Sequence, residues 1–253
     1  SVHFGIERGI LKLSKFCVYL AFLVLLYILI FGPTNFIVKT SLDSFIFMTK
    51  NFIDMNLGPS PFGKSEFSKA WTVFYWAWFI GLGPFIGIFV ARISRGRTLR
   101  TMIFGVLGFG TMGCALFFMI MGNNALYLEL NGSMPIVEIM NSEGAAVMTS
   151  RSVSAMPMGK WILPILGLFS LIFMATTYDS GAYTLASGAT KKMQSGDNPE
   201  KWHRVFWAAF IGLMPLGLLI LSSGSTDPLE RLRPFQTIIL LISPPLIIVY
   251  ILM

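Results

Sequence analysis

Two short stretches hold the residues whose types and spacing could do chemistry. In WTVFYWAWFIGLGPF, residues 71–85, Trp71, Tyr75, Trp78, Leu82 and Phe85 are spaced i, i+4, i+7, i+11 and i+14. They share one face of a helix, with Trp76 and Phe79 off it. Ring faces carry negative π-density and attract cations. The ligand they suit best is a quaternary ammonium, which has no N–H to donate and must be held by ring faces. Ring packing inside a helical bundle uses the same spacing. An interfacial belt explains Trp71 and Tyr75, but Trp78 lies about 10 Å deeper at 1.5 Å per residue.

The second stretch is FMATTYDSGAYTLA, residues 173–186. Phe173, Thr176 and Thr177 follow i, i+3, i+4, so a backbone carbonyl and two hydroxyls can converge as the hard oxygen ligands a small alkali cation prefers. The competing use of such hydroxyls is a bond to their own helix carbonyl. Asp179 is the only acidic residue inside an apolar span, and an intramembrane carboxylate is expensive enough to mark function by default. Aspartyl-protease chemistry needs two carboxylates sharing a proton, and Asp179 has no intramembrane partner in the sequence. Cys17 and Cys114 sit in apolar spans as small hydrophobes, and His3 and His203 are isolated, so no metal-site spacing exists.

The elements that must position these residues are membrane spans. Of 253 residues, 55% are hydrophobic and 12% charged, with a mean hydropathy of +0.71, a balance that belongs to integral membrane proteins. Apolar stretches near 16–36, 71–91, 101–122, 161–187, 205–222 and 235–253 each suffice to cross about 30 Å of hydrocarbon. An all-α membrane protein with six transmembrane helices is expected. Gly81, Gly83 and Pro84 fall mid-span and predict an interruption near residues 81–84, of the kind that marks binding sites in secondary transporters; a simple proline kink, or a small-residue packing face from Gly83 and Gly87, uses the same residues. Phe45, Met48, Phe52 and Met55 predict an amphipathic surface helix over about 41–57. Residues 123–160 are long enough for a lid or helical hairpin.

The net charge of +7 does not imply a nucleic-acid partner, because the basic residues lie in loops between spans. With residue 1 cytoplasmic, the inner segments hold eleven basic against three acidic residues, a net of +8, while the outer segments hold eight of each. That is the positive-inside pattern. Arg95 and Arg97 close the second span at the inner face, where they serve topology or gating.

Taken together, WTVFYWAW…PF.G.F.ARISRGRT, GIERGILKLS before the first span, GPT after it and YTLA late in the fourth resemble the betaine/choline/carnitine transporter (BCCT) family over essentially the whole chain. That resemblance implies a five-plus-five inverted-repeat (LeuT-like) fold in homotrimers. This chain would hold its second half, with the last helix of repeat one at about 16–36, a surface helix at about 41–57 and repeat two at about 71–253; the N-terminal half lies outside it. The resemblance further implies a sodium-coupled symporter of the plasma (inner) membrane, with no other cofactor, importing an osmoprotective onium solute such as betaine, choline or carnitine. A sodium-independent exchanger or a non-transporting sensor of the same fold are its alternatives. Residue by residue, Trp78 and Phe79 match the paired tryptophans of the substrate box; Trp71 and Tyr75 are added to the candidate substrate residues by their shared helix face alone. Leu82 matches a further box aromatic whose ring it lacks. Phe85 matches a phenylalanine near a second sodium site, and Phe173, Thr176 and Thr177 match the principal sodium site. The exchangers carry an apolar residue at the position of Thr177, so sodium coupling is expected.

Overall fold

The computed structural model describes residues 11–57, 66–94, 96–191, 198–221 and 233–252. Among these every regular element is helical. They run α1 (Leu11–Phe31), α2 (Thr34–Lys50), α3 (Phe52–Leu57), α4 (Glu66–Ile93), α5 (Leu99–Phe117), α6 (Asn123–Leu130), α7 (Ile136–Glu143), α8 (Ala145–Ser154), α9 (Gly159–Gly188), α10 (Lys201–Leu221) and α11 (Arg233–Leu252). A π-helical turn, Phe118–Gly122, joins α5 directly to α6. Leu11–Phe31, Trp71–Ile93, Leu99–Leu130 and Gly159–Gly188 are long and apolar enough to cross a membrane. Helices α10 and α11 occupy the fifth and sixth expected spans. The first turn of α10 carries Lys201 and Arg204, and the described apolar run of α11 is the shorter Leu240–Leu252.

Three boundaries differ from expectation. The first span ends earlier, at Phe31, where Gly32 and Pro33 interrupt the chain and the Thr34 hydroxyl donates to the Leu29 carbonyl at 2.6 Å. The following helix starts at Thr34 rather than 41 and stops at Lys50, with α3 continuing after Asn51. Residues 123–160 form three helices, of which α7 and α8 make the expected hairpin. Gly144 turns it at φ 90°, a left-handed backbone that favours glycine, and Arg151 pairs with Glu143 across it at 2.5 Å.

The chain divides into two compact units, residues 11–47 with 96–177, and 48–94 with 178–252. In the first, Val24, Leu25, Tyr27 and Ile28 of α1 form a buried core with Ile37 of α2, Ile120 of the π turn, Val153 of α8 and Met156. The wider π turn disturbs the i to i−4 ladder and leaves backbone groups to be satisfied from outside. Ser41 of α2 donates to the Met119 carbonyl at 3.3 Å and accepts from the Asn123 amide at 3.0 Å.

In the second unit α4 packs along α11. The C-terminal half of α9 is its most buried surface, with Ala182, Tyr183, Thr184, Ala186 and Ser187 nearly inaccessible. Gly181 faces both neighbours: a Cβ there would lie 3.4 Å from Ile211 Cδ1 of α10 and 3.7 Å from Phe85 Cζ of α4, at ordinary contact distance. At the turn into α10, Tyr183 donates to Asn198 at 3.2 Å and Trp207 donates to His203 Nε2 at 3.0 Å.

Candidate functional site

Helix α4 carries the aromatic residues, and it is not interrupted. The expected break near Gly81 to Pro84 is corrected by one continuous helix from Glu66 to Ile93 with Pro84 inside it. Proline removes one N–H and so frees the carbonyl of residue i−4, here Ile80. In membrane helices a neighbouring side chain can satisfy such a carbonyl. Tyr250 of α11 does so, its hydroxyl donating to Ile80 O at 3.3 Å. Gly83 provides the space, since a Cβ there would stand 2.5 Å from the Tyr250 hydroxyl oxygen. The Gly-Pro pair therefore marks a contact between helices, and the unwound-helix argument for a midplane site falls with the break.

The rings form a continuous array, in a different grouping from the one expected. Trp71 stacks on Tyr75 with centroids 5.6 Å apart, and Tyr75 stacks on Phe79 at 6.4 Å. Phe74 meets Trp71 edge-on at 5.8 Å and tilts against Trp78 at 5.3 Å. Phe79, expected off the face, thus joins Trp71 and Tyr75 in one stack, because long helical side chains lean back over the preceding turn and meet the residue at i−4. Trp78 is half-buried, while Phe79 is 63% exposed. Leu82 and Phe85 continue along the helix, half-buried. Phe74 was missed in the sequence although its i+4 spacing to Trp78 was visible. Tyr250 was missed because nothing local signals a partner 170 residues away.

On α9 the two hydroxyls take the competing arrangement and bond their own helix carbonyl. Thr176 and Thr177 both donate to the Phe173 carbonyl, at 2.7 and 3.1 Å. A hydroxyl that donates its hydrogen retains lone pairs on oxygen, so this arrangement suits a self-satisfied helix turn and also presents oxygens of the kind sodium takes. Asp179, one half-turn further on, is the only buried carboxylate among the described residues, and its Oδ2 has no hydrogen-bond partner there. Ring Phe85 packs two residues beyond it, at Gly181. Arg204 in the first turn of α10 is also buried, with Nε and Nη1 without a hydrogen-bond partner among the described residues. Arg97 is exposed in the turn between α4 and α5, where Gly96 adopts φ 77° and Thr98 caps α5 by accepting from Thr101 N at 3.2 Å. Arg95 lies outside the described residues. No cluster of His, Cys, Asp or Glu able to hold a metal occurs among the described residues.

The model of the BCCT, betaine/carnitine/choline family transporter matches residues 1–253, and the chain belongs to that family, whose members are transporters and not enzymes. It is 35% identical over 240 residues to the uncharacterised transporter YeaV of Escherichia coli K12, covering 93% of this chain and 50% of that protein. It is 32% identical over 245 residues to a carnitine transporter of Acinetobacter baumannii, covering 95% of this chain and 44% of the relative. With the high-affinity choline transport protein of Escherichia coli K12 it shares 32% identity over 228 residues, 89% of this chain and 33% of the relative. The chain thus spans between a third and a half of the curated relatives it matches.

Proposed function

We propose that this chain forms the second half of a sodium-coupled symporter for an onium compatible solute. The observation that carries the reading is the ring array on α4, Trp71, Tyr75, Trp78 and Phe79, of which Trp78 and Phe79 stand where the family resemblance expects a substrate box. Relatives named as carnitine and choline transporters support the solute class. Six spans complete the chain's share of an inverted-repeat fold, with α10 and α11 as its last two. The oxygens of Phe173, Thr176 and Thr177 hold the coupling sodium, and Phe85 stands near a separate, second sodium position. Loading of sodium and solute from outside closes the cavity, and rocking of the repeats releases both to the cytoplasm. The assembly is a homotrimer in the inner membrane, with residue 1 inside and Arg95 and Arg97 at the inner face.

Leu82 favours a second reading, in which the site selects an onium solute less strictly, because a leucine offers bulk without a π-face. The deciding experiment is uptake of labelled choline, carnitine and betaine by the full-length protein in a strain lacking other onium carriers. Uptake that needs a sodium gradient supports the symporter. Equal uptake with potassium replacing sodium identifies an exchanger, and none of the three solutes entering refutes the solute class.

A further inference from the structure

The contact between Tyr250 and the Gly83-Pro84 step joins three features that have no reason to coincide unless they work together. Pro84 leaves Ile80 O without its helical donor. Tyr250 supplies a hydroxyl to that oxygen at 3.3 Å. Gly83 is the residue whose side chain would block the approach, with a Cβ 2.5 Å from the Tyr250 hydroxyl oxygen and 3.4 Å from its Cζ. Ile80 stands one residue after Phe79 and two after Trp78, so the exchange of a helical hydrogen bond for one made by α11 occurs at the inner edge of the ring array.

The geometry points to Tyr250 as a positioning residue for the ring-lined site. Its hydroxyl ties α11 to the one turn of α4 that lacks its own hydrogen bond, and this tie sets where the Trp78 and Phe79 rings stand. A helix turn with a missing ladder bond bends more easily than its neighbours, so without the tie the rings sample a wider range and hold a rigid cation less well. The inference rests on the reading of the rings as a solute site. The tie itself does not, and the two are separable by experiment.

Two substitutions test it in the full-length protein. Tyr250→Phe keeps the ring and removes the hydroxyl. Gly83→Ala keeps α4 intact and pushes the hydroxyl away. Amide hydrogen exchange across residues 78–88 should rise several-fold in each. The Michaelis constant for onium uptake should rise about three- to tenfold, while the maximal rate falls by less than half. Combining the two should be no worse than either alone, because both remove the same bond and the phenylalanine ring edge tolerates the alanine Cβ at about 3.4 Å; general damage to the fold would instead add. Unchanged exchange in Tyr250→Phe overturns the tie. Raised exchange with an unchanged Michaelis constant overturns the positioning role. If the unsubstituted protein carries no onium solute, the ring-site reading fails and the positioning role with it, while the exchange arm still decides the tie.

Discussion

Replacing Trp78 by leucine separates a cation site from an ordinary packing face. The Trp78 ring is half-buried and tilted 41° against Phe74 at 5.3 Å. A cation over an exposed ring gains about 0.5–1 kcal/mol, and over a desolvated one about 2 kcal/mol. Trp78→Leu retains apolar bulk and loses the π-face, so onium binding should weaken by about 1–2 kcal/mol. At about 1.4 kcal/mol per tenfold, this is on the order of 5- to 30-fold in affinity. The lost contact with Phe74, worth about 0.5–1.5 kcal/mol, acts on free and bound protein alike. It should lower the melting temperature without entering the affinity. Calorimetric titration with choline and with its neutral carbon isostere, which has a tert-butyl group in place of trimethylammonium, isolates the charge term. Choline should lose affinity and the isostere should not, and Trp78→Phe should recover most of the loss. Equal weakening for both ligands, or unchanged affinity for every onium solute, would refute the argument.

Thr177→Ala should raise the sodium concentration for half-maximal uptake more than it lowers solute affinity at saturating sodium; a larger effect on solute affinity sinks the ligand assignment. Tyr27→Phe removes the hydrogen bond from the Tyr27 hydroxyl to the Pro157 carbonyl. Thermal unfolding should show a loss of about 1 kcal/mol, with uptake kinetics unchanged. Gly159→Ala places a Cβ 2.1 Å from the Val153 carbonyl oxygen, whereas Gly167→Ala meets nothing within 4 Å. Folded yield by size-exclusion fluorescence should fall sharply for the first and hold for the second.

The parts of the fold legible in the sequence were those that depend on local composition. The spans at 71–91 and 161–187 reappear as α4 and α9 because their apolar runs are long and their ends carry polar or glycine signals. The spacing of Phe173, Thr176 and Thr177 foretold the bonds of both hydroxyls to their own helix carbonyl, because one helical turn suffices to make them. The interruption expected at Gly81 to Pro84 is absent for a physical reason. A proline's missing N–H predicts that something must satisfy the carbonyl four residues earlier, but whether the helix opens or a neighbour donates depends on what packs there. The donor, Tyr250, comes from a distant helix. The place of Phe79 in the ring array follows its i+4 spacing from Tyr75, a local signal like that of Phe74 and Trp78.

At Phe118–Gly122 one turn of the third long helix holds more residues than an α-helical turn would. Each residue advances an α-helix by about 100°, so such a turn works as a phase shifter: the helix keeps its course while the face it shows is re-dealt. Shortening this turn by one residue would leave α5 and α6 equally helical and equally apolar. It would also rotate one against the other by about 100°, withdrawing the Asn123 amide from Ser41 and unsettling Ile120 in the buried core. At this point in the chain the number of residues carries structural information that their identities do not.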